Sequence, residues 1–518
     1  MKRRIHILIS AVMLCGVSGV WAQSDPGAPG NTAAPAQQQS SSDEPQNQPP
    51  PLTENPPLSS LDLPSLEPHA APLSYLQPGA TVSESLDSNP TNGVGGGSSV
   101  SSVSRGLGSL LLKRVWSHYD LGLDYAGGGA YYSINGIGWK LLQQMDLEQK
   151  INWKRGVLTV RDSFSYLPEG NFGNAYGSEG SVNLGTLNDS PFGALLGGGV
   201  LGSLGLTSRI MNVAEADVSE YLTARSSVTA LGGYAFTHFY GNDLVTGSPF
   251  IGASQITFQG GYNRLLTPHT QVAVMYDYQG FDFSVVGSAF HTHVVEGMVG
   301  RRISGRMDLL LGAGPQFTSI SSACSLADFA TGNPHCSVNQ NGDLVGSIPQ
   351  TKIGVAAIGR LRYRFTKTEM ALSYERAETN GSGLFAGAET DIARLSVNRP
   401  LSRVWSVFAD LGFAHNERVQ PLSSQQLSSC FAGPPGEPNN SGLPACPGIS
   451  ANSYSYGFAG GGLHRYLGHD FHAFMSYQFN ELVFDHSYCG GLPECSRISN
   501  RHVLTFGLDW IPRPIRID

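Results

Sequence analysis

Charge is scarce in this chain. Asp, Glu, Lys and Arg make up 14% of its 518 residues, against roughly a quarter in ordinary soluble domains. No Lys or Arg occurs between Arg4 and Arg105, and no long apolar run follows the first 22 residues. A spanning helix needs ~18 uninterrupted apolar residues, so a helical membrane protein is excluded. If the chain lies in a membrane it must be a closed barrel, because only helices and barrels satisfy every backbone group in lipid. Cysteine is scarce too, at seven, and no two are spaced C-x-x-C, which leaves no basis for a metal site. The part after the N-terminal region is nearly neutral, which argues against a nucleic-acid partner. Gly197-Gly198-Gly199-Val200-Leu201-Gly202 matches a dinucleotide fingerprint by letter only, since no strand–helix context surrounds it, and no cofactor is expected.

What is present begins with Met1-Lys2-Arg3-Arg4, an apolar core from Ile5 to Val20, and a small-x-small site at Val20-Trp21-Ala22. These are the parts of a secretory signal, placing the signal peptide at residues 1–22. Cys15 falls inside it behind Leu14, where lipid attachment would need a smaller residue. Residues 23–106 are rich in Pro, Ser, Gln and Asn, with eight acidic residues from Asp25 to Asp87. Such a composition buries too little apolar surface to offset chain entropy, so a disordered acidic tether is expected there.

The most informative stretch runs from Trp139 to Gly170. Trp139, Leu141, Met145, Leu147, Ile151 and Trp153 occupy odd positions, while Gln144, Asp146, Glu148, Lys150 and Asn152 occupy even ones. A period of two sends these sets to opposite faces of a strand. Lys154-Arg155-Gly156 then turns the chain, which returns with Leu158, Val160, Phe164 and Tyr166 on one face and Thr159, Arg161, Ser163 and Ser165 on the other, Asp162 being the exception. Each arm meets the ~9–11 residues that a tilted strand needs to cross a bilayer. One apolar face ending in aromatics and one charged face describe a membrane barrel with a wet interior.

The same pattern recurs to Ile511, giving about sixteen strands from Tyr119 onward. Their connections alternate strictly between short, as at Ala224–Ser226 and Thr366–Lys367, and longer, often rich in Gly, Asn, Ser and Pro, as at 167–208, 319–351 and 416–451. Short periplasmic turns opposite long external loops are the pattern of an outer-membrane barrel. The six cysteines after the signal fall in pairs inside single predicted loops, Cys324 with Cys336, Cys430 with Cys446, and Cys489 with Cys495. An even count confined to loops of an exported chain implies local disulfides.

On strand length, face alternation, turn–loop alternation and aromatic strand ends, residues 119–511 resemble the porin-like bacterial outer-membrane barrels. The phrase Arg161-Asp162-Ser163-Phe164-Ser165-Tyr166-Leu167-Pro168-Glu169 also resembles a segment of uncharacterised barrels of this kind. The resemblance implies an all-β, up-and-down transmembrane antiparallel barrel over residues 107–518, localised to the outer membrane. It also implies contact with outer-membrane lipid, insertion by the barrel-assembly machinery, and a possible homo-oligomer. In one respect the chain departs from it. Such barrels finish on an aromatic last strand, whereas here Ile511 to Asp518 follow Trp510.

A barrel of this size encloses an aqueous channel unless something fills it. Arg360, Arg362 and Arg364 share the lumen face of one predicted strand, and Asp146, Glu148, Glu215 and Asp217 that of two others about half a turn away. A basic wall facing an acidic wall is expected to polarise a passive channel for small hydrophilic solutes. The alternative is a surface-interaction or envelope-structural barrel with a plugged lumen and disulfide-braced loops. The Gly-rich loop from Pro168 to Ser208, whose only charges are Glu169, Glu179 and Asp189, either folds into the lumen and narrows the pore or, the favoured reading, lies against neighbouring loops at the outer face. His291 and His293 share a face near a loop, as interfacial polar residues do, and no catalytic set emerges, so the chain is not read as an enzyme.

Overall fold

A computed structural model of the chain describes residues 74–89, 100–133, 138–167, 208–240, 251–283, 288–324, 329–338, 344–381, 384–419, 451–489 and 496–517. Among them the strands are β1 (Tyr75–Asp87), β2 (Ser101–Val115), β3 (Tyr119–Tyr132), β4 (Gly138–Trp153), β5 (Gly156–Leu167), β6 (Ser208–Thr223) and β7 (Ser226–Tyr240). The wall continues through β8 (Ala253–Thr267), β9 (Thr270–Phe283), β10 (Ser288–Ser304), β11 (Met307–Ala323), the three-residue β12 (Cys336–Val338), β13 (Leu344–Arg364) and β14 (Glu369–Thr379). It ends with β15 (Ala388–Pro400), β16 (Trp405–Arg418), β17 (Ser453–Tyr466), β18 (Phe471–Phe484), β19 (Ile498–Trp510) and the short β20 (Ile515–Arg516). All but β12 and β20 form one antiparallel barrel of eighteen strands, in which each pairs with its sequence neighbour, β11 pairs with β13, and β1 closes on β19.

The alternation is inside-out, as lipid requires. On β18, His472, Phe474, Ser476, Gln478 and Asn480 are buried, while Met475 and Tyr477 between them are half-exposed. Polar groups therefore face the lumen and large apolar ones the bilayer. Trp153, Trp405 and Trp510 mark the turn end, and Tyr131 packs on Trp139 at the loop end with ring centroids 5.5 Å apart. These are the two aromatic girdles of an outer-membrane barrel.

All sixteen expected strands are present, and two more lie where a tether was expected. β1 and the start of β2 occupy residues assigned to the disordered segment, so the wall begins at Tyr75 rather than near residue 107. The pattern there is faint because outward positions carry few large apolar residues. On β1 they are Val82, Glu84 and Leu86, and on β2 Ser102, Ser104, Gly106 and Gly108 precede Leu110. What holds β1 is its lumen face. Asp87 accepts three charge-assisted hydrogen bonds from Arg501, two from Nε at 3.1 and 2.9 Å and one from Nη2 at 2.5 Å, and both side chains are buried. Thr81 donates to Asp509 at 2.7 Å, and Arg105 donates to Ser85 at 2.6 Å.

The departure at the C-terminus also has a structural role. After Trp510 the chain passes Pro512 and Pro514, which have no N–H to give a ladder, and resumes as β20 against Tyr75 and Leu76 of β1. The Gln77 amide donates to Pro512 O at 3.0 Å and Ile517 N donates to Ser74 O at 3.0 Å. The tail thus extends the closing seam to the turn end. Of the expected disulfides, Cys324–Cys336 is formed, with Cα atoms 5.7 Å apart. Cys430, Cys446 and Cys495 lie outside the described residues, as do the signal peptide and most of the loop from Pro168 to Ser208.

Candidate pore and the hairpin that narrows it

The sequence-predicted charged residues all stand on lumen-facing register. On β4 Asp146 and Glu148 alternate with outward Met145 and Leu147, on β6 Glu215 and Asp217 are buried, and on β13 Arg360 and Arg362 pair across β11 with Leu310 and Asp308. β4 and β13 are eight barrel strands apart out of eighteen, nearly opposite one another.

Neither group is a wall of one sign. Arg161 of β5 projects between the carboxylates, with Nε 2.9 Å from Glu148 and Nη1 3.2 Å from Glu215 and 3.4 Å from Asp217. Lys150 lies 2.9 Å from Glu148, and Ser163 donates to Asp146 at 2.5 Å. Across the lumen, Asp308 stands opposite Arg362 and 3.5 Å from Arg302, and Glu369 is 3.4 Å from Arg364. Glu375 follows on the same inner face, opposite Ile358. The acidic side keeps an excess of carboxylates, and the basic side is close to balanced.

Among the described residues, one feature of the lumen departs from the regular wall that the alternation predicts. At its loop end β14 parts from β13 and turns toward the inner faces of β11 and β10, while β15 stays paired with β16 along its whole length. β13 extends over 21 residues, but its ladder with β14 takes in only Ala357–Arg364. Above that point Glu378 accepts hydrogen bonds from Thr292 of β10 and, at 2.5 Å, from Thr318 of β11, two residues of the lumen face. Lys352 of β13 reaches Glu389 of β15 at 2.6 Å.

Physical necessity explains the bend. The outward face of β14 is apolar only from Met370 through Leu372 to Tyr374, then carries Arg376 and Glu378. Five residues at ~3.3 Å each span ~16 Å even untilted, short of the ~25 Å apolar band. A straight β14 would put Arg376 and Glu378 in hydrocarbon. Bending turns that face onto polar partners, and Arg376 bridges Glu389 and Asp391.

The loop at the tip is held by apolar packing. Phe385 is fully buried with Tyr454, Tyr456, Leu482 and Phe484 from the lumen faces of β17 and β18, and Arg418 stacks over its ring at 4.5 Å. Ala386 packs on the other side against a buried cluster that includes Phe281, Phe283 and Phe290. Aromatic side chains on the inner face of a wet barrel need a cover, and this loop supplies it. Gly387 has φ +89°, and a Cβ there would meet the Phe290 ring at 2.4 Å; Gly381 has φ +71°, and a Cβ there would meet Phe385 O at 2.5 Å. Both the left-handed backbone and the close approach demand glycine. The signal in the sequence was Gly381-Ser382-Gly383-Leu384-Phe385-Ala386-Gly387, an apolar pair inside a glycine frame, following a strand whose outer face turns charged.

No family model matches the sequence, and no curated protein matches it. Among solved structures the chain is similar to Pseudomonas aeruginosa OccK5 (OpdH), at 11% identity and a TM-score of 0.36 over 85% of this chain and 98% of that one. It is similar to Acinetobacter baumannii OccAB1, at 9% identity and 0.38 over 86% and 97%. It is also similar to the ferric-catecholate import receptor Fiu from E. coli K12, at 8% identity and 0.37 over 83% and 81%. By its own closed register, lipid-facing apolar surface and polar interior, the chain is a β-barrel of the outer-membrane type.

Proposed function

We propose that the protein is a passive channel for small hydrophilic solutes, in which the inward hairpin β14–β15 forms the narrowest part of the path and the charged walls bias which ions pass. The observation that carries this reading is the hairpin itself. It lies across the lumen-facing residues Thr292 and Thr318 and is fixed at its tip by Phe385. A wall of eighteen strands encloses more space than its side chains fill, so a device that narrows it selects by size. Water-filled passage also accounts for the inward ionic groups, which are costly where no water or partner reaches them.

Single-channel recording on the full-length protein in a planar bilayer tests the reading. Discrete, ohmic steps are expected. Silence from barrels shown to be folded by their heat-dependent gel mobility would refute an open path and leave a plugged barrel that works through its loops.

A further inference from the structure

Bending β14 inward leaves a seam in the wall. β13 pairs with β11 from Ser347 to Tyr363, but with β14 only from Ala357 to Arg364. Among the described residues, the other edge of β13 from Ser347 to Ala356 joins no ladder. An open ladder edge is not tolerated in hydrocarbon unless it lines a cavity that supplies hydrogen-bonding groups or water. The seam lies in the loop half of the wall, level with the outer leaflet.

Its two sides differ in chemistry. Toward the bilayer, Ile353 and Val355 point outward, 71% and 56% exposed, and Tyr374 stands below them on β14, in the last paired stretch opposite Gly359. Behind them come Lys352 and Arg376, whose side chains remain 39% and 38% exposed although both are paired with Glu389. Tyr374 donates its hydroxyl to Asp391 at 2.6 Å. Deeper still, Glu378, Thr292 and Thr318 are buried. An apolar lip thus opens onto a polar throat, exposed at Lys352 and Arg376 and lined behind them by the buried, hydrogen-bonded Glu378, Thr292 and Thr318.

We propose that this seam is a lateral portal through which small amphipathic molecules, with a polar head and an apolar tail, pass between the lumen and the outer leaflet. A purely hydrophilic solute would have to cross the Ile353–Val355 lip into lipid. A purely apolar one would have to leave lipid for two ion pairs. A molecule carrying both parts keeps its tail at the lip while its head exchanges with the groups of the throat. The portal rests on the same lumen as the axial channel, but its evidence is the incomplete β13–β14 ladder.

Photolabelling decides the matter. The full-length protein is placed in liposomes holding a fatty acid with a diazirine at its chain end, irradiated, and mapped by mass spectrometry. Gly354 and the Arg376–Asp391 region are expected to be labelled about tenfold more than Thr229, a buried lumen-facing residue far from the seam, corresponding to ~1.4 kcal/mol of preferential access. In Gly354→Trp, where an added Cβ meets only Gln316 at 3.9 Å, the bulky ring fills the throat and that labelling falls to the Thr229 level. Labelling confined to outward side chains, with the seam no higher than Thr229 in the unaltered protein, overturns the portal. Axial conductance of the same preparations is recorded in parallel, so loss of the channel reading and loss of the portal are separate results.

Discussion

At the scale of single residues, the lumen charges act in sets. Arg360, Arg362 and Arg364 are close to balanced by Asp308, Glu369 and Glu375, whereas Asp146, Glu148, Glu215 and Asp217 outnumber Arg161 and Lys150. Replacing the three arginines by alanine removes cations from the balanced side and leaves the lumen net negative. Reversal potentials in a salt gradient should therefore move toward cation selectivity, by several-fold in permeability ratio since each charge acts over only about a Debye length. An unchanged reversal potential would end the proposal that these walls bias ions. The buried pair Asp87–Arg501 is a different case, because its charges have no water to fall back on. Asp87→Ala should cost about 3–5 kcal/mol by removing the carboxylate that neutralises the buried guanidinium, read as a lower temperature for loss of the folded gel band. Adding Arg501→Leu should recover part of the loss. The faces of Asp146 and Arg362 were legible because a period of two assigns a face outright. Arg161 as the counter-ion was not, because pairing across strands depends on register. The outward Asp162 was visible as an exception, and only the fold shows its partner, Asn212, which donates to it at 2.7 Å.

At the scale of elements, the hairpin β14–β15 is the least regular piece and the one most open to a single change. Gly387→Val would force a β-branched residue to φ +89° and drive a side chain into the Phe290 ring. The backbone strain alone is about 1–3 kcal/mol, and loss of Phe385 packing adds to it. The barrel should still form, since the β15–β16 ladder does not depend on residue 387. Single-channel conductance should rise as the tip leaves the lumen. A variant that folds and conducts as before would show that the tip does not limit passage. Strand existence was readable from alternation, but the bend was not, because alternation fixes which residues share a face and says nothing of where that face looks. Only the change on the outer face of β14 from Tyr374 to Arg376 and Glu378 hinted that this face leaves the lipid.

At the scale of the whole molecule, closure decides what counts as the barrel. Strand signals are strong from Tyr119 onward, and a sixteen-strand cylinder beginning there is a coherent reading of the pattern. Yet β19 does not pair with β3. Its ladder partners are β18 and β1, and β1 in turn pairs with β2 from Tyr75 to Asp87. The two extra strands carry Ser, Gly and Pro at positions where the others carry Leu, Val and Tyr, so composition masked them, and only the need to satisfy both edges of the sheet brings them in. A chain starting at residue 107 would lack β1 and the first half of β2, leaving β19 and β3 with open edges that lipid does not tolerate. It would also lose Asp87, the partner of buried Arg501. Such a chain should fail to give the heat-modifiable band after refolding into detergent. One starting at Ser74 should give it, because that is the first of the described residues and its carbonyl accepts from Ile517 N at 3.0 Å beside β1. If the shorter chain folds as well as the longer, the barrel can close at sixteen strands and β1 and β2 are dispensable to the wall. If only the longer folds, the barrel's N-terminal boundary lies at the start of β1.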